Sequence, residues 1–302
     1  MVVRPHKPAP MRTRKQPWWK SPLPASLRSE RGLRGLLAAE KRRRGFASEE
    51  LVFVGMHNLA QIWWCEMYSV LKSRRNELEF FGVYLADRLR LALALSRIPK
   101  MPTARQAILE AAAARLPGAE VEQLLAEAGW PAPIAQPAAE DRRSTDCIVE
   151  AEVADSSSSR YLYAHRLEAT RGEHYPRYRW SFPAGRYVLV GEPDGLTSDL
   201  VYEFKTVRNR YFCQTSALPI ACAQADLYGC YFGRGRKRVQ IHVRDEDAVE
   251  TLDAAVDKER ASLTIERFTN VDSGQPPTRP KAFKCKKCDE AEGCSVRQET
   301  VQ

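Results

Sequence analysis

Three observations predict an α/β fold with a mixed central sheet flanked by helices. Tyr187–Val190 and Leu200–Thr206 are β-branched and aromatic runs, joined by Gly191–Asp199, which is rich in turn formers. A helical stretch follows at about Ser216–Phe232. Beyond it Val239, Ile241 and Val243 alternate strictly, the period of a half-buried strand. Strands interleaved with helices in this way build a layered α/β core.

Taken in order, residues 1–48 read as a basic, flexible arm. Met1–Arg28 holds seven Lys or Arg and no acidic residue, with Trp18-Trp19 available to stack on bases or dock on the domain. Lys41-Arg42-Arg43-Arg44 reads as a solvated face. Residues 49–98 carry a short strand at Leu51–Val54 and helical periodicity around Leu59, Ile62, Trp63 and Tyr68, with Cys65 inside that helix. A second helix is expected from about Asn76. Residues 99–143 form a helical insertion, with helices near Thr103–Arg115 and Ala119–Ala128. Residues 144–270 form the core: a possible strand at Ser144–Ala154, a strand at His174–Phe182, the central pair, the helix and the alternating strand. An Arg-rich turn, Gly233–Arg238, is placed to contact phosphate, and Asp245–Ile265 has helical spacing at Ala248, Leu252, Val256 and Leu263. Residues 271–302 form a Pro/Gly-rich linker and a cysteine-bearing tail.

The 302 residues suffice for a sizeable core, and a formal charge of +9 favours a polyanionic partner or an acidic surface. No run approaches the ~20 apolar residues that span a bilayer, so no membrane is expected. The N-terminus lacks an apolar signal region. Of the eight cysteines, four lie in scattered apolar contexts (Cys147, Cys213, Cys222, Cys230), three cluster in the tail, and Cys65 stands apart in residues 49–98. That distribution favours a metal site in the cytoplasm or another reducing intracellular compartment. The acid-poor N-terminus also suits organellar targeting.

The chemistry sits on the central pair. Glu203 and Lys205 lie two apart on one strand, so alternation points both to one face and Phe204 to the other, while Asp194 sits near the end of the preceding strand. Two carboxylates and the Phe204 carbonyl suit a hard divalent ion, Mg²⁺ or Mn²⁺. Such an ion lowers the pKa of a bound water, and Lys205 would orient that water or offset transition-state charge. Taken alone, a D…E-x-K pattern is also met on solvated hairpins. Gln224 and Tyr228, four apart on the following helix, share one helical face.

The order Gly191-Glu192-Pro193-Asp194, Glu203-Phe204-Lys205, Gln224-x-x-x-Tyr228 resembles the RecB-like exonuclease branch of the PD-(D/E)XK nucleases, whose fold is restriction-endonuclease-like. By that resemblance Gln224 and Tyr228 contact the substrate backbone and buttress the site. In the tail, Cys285-x₂-Cys288-x₅-Cys294 supplies three thiolates, one short of the four that tetrahedral zinc or a cubane cluster takes. Cys65, 220 residues before Cys285, is the candidate fourth ligand. One cysteine before the core and this set after it resembles the iron–sulfur members of that branch, including the CRISPR-associated exonucleases and the AddB nuclease domain. The resemblance implies a [4Fe–4S] cluster that staples the two ends of the domain, with structural Zn²⁺ as the alternative.

Those families also carry a metal-binding His after the first cysteine. The matching stretch here ends in Asp87 instead, His165 is in the right interval, and His57 precedes Cys65 and is expected off-site. The implied function is metal-dependent cleavage of DNA, by an exonuclease acting on single strands or ends in CRISPR adaptation or recombination and repair. Its partner would be a CRISPR-integration complex or a helicase. The alternative is a weakly active or inactive DNA-binding or assembly module that keeps fold and cluster.

Overall fold

The computed structural model describes residues 29–46, 50–96, 168, 170–175, 179–286 and 288–296. The basic segment 1–28 with Trp18-Trp19, the insertion 99–143, the strand at Ser144–Ala154, Cys147 and His165 lie outside the described residues.

Two mixed sheets are flanked by helices. Strands β1 (Val52–Gly55), β3 (Tyr187–Gly191) and β2 (Trp180–Ala184) form the first, in the order β1-β3-β2. The pair β1/β3 is parallel and β2/β3 antiparallel. Every residue of β1 and β3 is buried, as befits parallel strands covered on both faces. Helices α1 (Glu30–Arg43) and α3 (Glu66–Ser96) cover one face through Leu33, Phe53, Phe81, Tyr84 and Val188. The other face packs Val52, Val54 and Leu189 against α2 (Met56–Ala60), α4 (Leu218–Tyr231) and α5 (Lys258–Asp272).

The second sheet runs β4 (Gly195–Leu196), β5 (Leu200–Val207), β6 (Arg236–Val243), β7 (Ala248–Ala255), with β5/β6 parallel and the outer pairs antiparallel. The helix α4 lies on β5 and β6. It is buried over most of its surface, and small residues let it seat closely. A Cβ on Gly229 would stand 2.3 Å from the Val256 side chain.

Several expectations are corrected. The arm does not extend to residue 48. The Ser29 hydroxyl caps α1 by accepting from the Gly32 amide (3.0 Å), and Leu33, Leu36 and Leu37 dock its apolar stripe. The Lys41–Arg44 run is not simply a solvated face, because Lys41 is buried against Glu77 (2.9 Å). No second helix begins near Asn76, since α3 runs unbroken from Glu66. Cys65 therefore sits in the break before α3 instead of inside a helix. The central pair is not a hairpin: β3 and β5 belong to different sheets, and β4 is the partner of β5.

Residues 248–255 form an edge strand and not the start of a helix. Ala248, Leu252 and Val256 are four apart, a spacing that fits a strand of period two as well as a helix. Only at Asp257, whose side chain accepts from the Arg260 amide (2.9 Å), does helix α5 begin. Of the strand expected at His174–Phe182, the described residues show β2 from Trp180 on, with His174, Tyr175 and Arg179 outside it.

Candidate active site and cysteine corner

Strand β5 delivers the two ionisable side chains as alternation requires. Glu203 and Lys205 pair in register with Val239 and Ile241 and share their face, under α4, while Phe204 pairs with Gln240 and faces away. Asp194 leaves the end of β3 and returns to β5, its Oδ2 accepting from the Phe204 amide at 2.9 Å. Glu203 is fully buried, and Lys205 Nζ donates to its Oε1. Burial opposes charge on Lys205, but Glu203 and Asp194 outweigh it and hold the ammonium pKa above its ordinary value.

The helix α4 adds Gln224 and Tyr228 to the same crevice. Gln224 Nε2 donates to the Tyr228 hydroxyl (3.2 Å), and both residues are buried. Burial, reinforced by Glu203 and Asp194, pushes the Tyr228 phenol well above its ordinary range, so it keeps its proton. The Gln224 Oε1 is buried and has no hydrogen-bond partner among the described residues. The Tyr228 ring is core, edge-on to Phe232 at 6.4 Å.

One residue that sequence reasoning set aside belongs here. Desolvation by the protein around the imidazole lowers the His57 pKa to about 3, with the Lys205 and Lys72 charges adding to it, although the residue keeps an exposed edge. The ring is therefore neutral at ordinary pH. The signal was topological. Parallel β1 and β3 end side by side, Gly55 opposite Val190, so residues just past both ends meet at one sheet edge. His57 and Asp194 are such residues. Asp87, the expected substitute ligand, is instead buried and engaged by Arg179 through Nε (2.6 Å) and Nη2, with Glu192 3.3 Å from the same guanidinium.

Of the basic residues in the Arg-rich turn, Arg236 is exposed, while the others are engaged within the protein. Arg234 is buried and donates to the Thr197 (2.6 Å) and Phe232 (2.6 Å) carbonyls. Lys237 is buried against Asp226, and Arg238 spans Asp253 (2.7 Å) and Glu173 (2.8 Å).

The cysteine corner lies where α3 begins. Cys65, Cys285, Cys288 and Cys294 line one small cavity together with Trp64, Tyr68, Leu71 and Pro280. All four are free thiols. Burial, with the neighbouring cysteines adding to it, raises the Cys65 and Cys288 pKa values. The four thiols have the donor chemistry of a thiolate metal centre, whose ion would replace those protons. The chain also ties this corner together through its own side chains. Glu66 accepts from Arg267 Nη2 (2.7 Å) and from the Thr278 amide (2.5 Å), Trp63 donates to Thr264 Oγ1 (2.8 Å), and Arg75 pairs with Glu290 (2.6 Å). Among the described residues, no three His, Cys, Asp or Glu side chains are drawn in far enough to hold one ion as they stand. No helix among them is long and apolar enough to cross a membrane.

No family model and no curated protein matches the chain. Among solved structures, the crystal structure of SSO0001 is similar to it at 13% identity and a TM-score of 0.38, over 87% of this chain and 96% of that one.

Proposed function

We propose that the chain is a divalent-metal-dependent deoxyribonuclease of the RecB-like PD-(D/E)XK kind, cutting DNA at single strands or ends. The observation that carries this reading is the crevice in which Asp194, buried Glu203 and Lys205 converge under Gln224 and Tyr228. A fully buried carboxylate requires a compensating cation. Lys205 supplies it here, and the oxygen donors of Asp194, Glu203 and the Phe204 carbonyl fit Mg²⁺ or Mn²⁺, with neutral His57 as a further donor. When bound, the ion polarises the phosphodiester and acidifies an attacking water.

The protein groups have separate tasks. Asp194 is anchored beside β5 by the Phe204 amide, which fixes its carboxylate next to Glu203 and Lys205. The Lys205 ammonium, held charged by its neighbours, exchanges its contact with Glu203 for the attacking water or the developing negative charge. Gln224 offers its Oε1 as acceptor, and protonated Tyr228 braces it from behind.

The cysteine corner would hold a [4Fe–4S] cluster, or a structural Zn²⁺, on Cys65, Cys285, Cys288 and Cys294. Its role here is architectural. The deciding experiment is cleavage of end-labelled single-stranded DNA with and without Mn²⁺, by wild type and Lys205→Ala. Cleavage that needs the ion and the lysine supports the nuclease. A protein that binds DNA but never cuts it would instead be the binding or assembly module.

A further inference from the structure

We propose that the groove beside Lys205 is a base-stacking subsite for an unpaired DNA strand, an inference that rests on the nuclease reading above. The groove is a cleft of about 320 Å³ open to solvent. Lys205 of the crevice is part of its lining, so the groove adjoins the candidate active site. Trp64 and Tyr68 form one part of its lining, with ring centroids 5.2 Å apart and edge-on. Phe212, on the turn of helix that follows β5, forms another and is 41% exposed; its neighbour Tyr211 is 61% exposed.

Two adjacent large rings left to water just beyond a catalytic strand are a surface that calls for a covering group. The charge around them selects an anionic one. Lys72 Nζ sits 5.1 Å from the Tyr68 ring centroid, and Lys205 is part of the lining. Arg208 and Arg210 flank this stretch of chain with exposed side chains, bridged to Asp245, Glu246 and Glu250 of the neighbouring turn and strand. Asp289 is the acidic residue of the lining.

An aromatic ring beside a cation, at the threshold of a phosphodiester site, matches a nucleotide that presents a bare base face next to its phosphate. Bases in a duplex are already stacked on their neighbours and cannot offer that face. The groove therefore admits an unpaired strand and excludes an intact helix, which makes the rings a selectivity filter for the site behind them.

The test is binding in EDTA, so that its outcome does not depend on cleavage. The probes are a fluorescent oligothymidylate, an abasic strand of the same length and charge, and a blunt duplex, against wild type, Phe212→Ala and Phe212→Trp. Wild type should hold oligothymidylate about tenfold or more tighter than the abasic strand or the duplex. Phe212→Ala should lose most of that preference while binding the abasic strand as before, and Phe212→Trp should keep it. Equal wild-type binding of base-bearing and abasic strands would overturn the proposal, as would equal weakening of both by Phe212→Ala. Failure of the nuclease reading shows separately, as absence of metal-dependent cleavage by a wild type that retains the preference.

Discussion

The carboxylate–lysine crevice and the cysteine corner each lend a residue, Lys205 and Cys288, to one groove, yet they are built in opposite ways. The crevice takes Asp194, Glu203 and Lys205 from twelve consecutive residues and needs little beyond strand alternation and one overlying helix to aim them. The corner joins Cys65 to a tail over 200 residues later, and the chain surrounds it with its own clamp of Glu66, Arg267 and Thr278. A site made from neighbours in sequence can leave its geometry to local backbone. A site made from distant parts requires separate bonds to bring those parts together.

The sharpest way to break this contrast is chemical. Glu203→Gln and Lys205→Ala should each lower single-turnover cleavage by about 10²–10³-fold, with affinity for DNA in EDTA nearly unchanged. Cleavage at the wild-type rate in either folded variant would remove the crevice from the comparison.

Next in size is the clamp. Glu66→Ala strands Arg267 and the Thr278 amide, and should cost about 2–3 kcal/mol in urea unfolding, below the full value of a buried pair because Arg267 is partly exposed. It should also speed alkylation of Cys285 and Cys288 in metal-free protein. Unchanged alkylation would mean that the tail is held by something else.

A third variant serves as the control, because α1 contributes residues to neither site. The Arg43 and Arg44 guanidinium groups and the Tyr84 hydroxyl overcome the effect of burial on Glu40 and lower its carboxyl to about 2 from an ordinary 4.5. Because the folded state depresses this pKa, its contribution is full above pH 4.5 and is lost as pH falls towards 2. The loss should be on the order of a few kcal/mol at most. Glu40→Gln should flatten the stability profile in that window without altering cleavage or metal content at pH 7.

The smallest stability effect should come from Cys65→Ser. It should release as much metal as Cys288→Ser, read by elemental analysis, while moving the unfolding free energy of the metal-free protein by only about 1 kcal/mol, because the clamp remains. Collapse of the fold in Cys65→Ser would make metal the principal staple and reverse the contrast.

Much of the second sheet was legible. The alternation at Val239–Val243 and the Glu203/Lys205 spacing follow from the period of a strand, and Gln224 and Tyr228 from that of a helix. What escaped was long-range. The placement of His57 depends on β1 running parallel to β3, a pairing between segments about 130 residues apart that no local pattern encodes. Residues 248–255 escaped for a different reason, since a spacing of four is common to both periods. In the Arg-rich turn, composition gives charge but not partners: Arg234 turns inward to carbonyls and Lys237 to Asp226, while Arg236 stays exposed.

The Thr278–Glu66 bond has a further consequence for how the corner would load. It fixes a point of the tail seven residues before Cys285, directly beside Cys65. A flexible tether of that length reaches roughly 15 Å. The tail thiols therefore meet Cys65 at an effective concentration in the millimolar range, as though the two segments were one short peptide. Folding thus brings the two cysteine-bearing segments near one another, so a metal bound there would not have to bear the full entropy of closing a loop of over 200 residues.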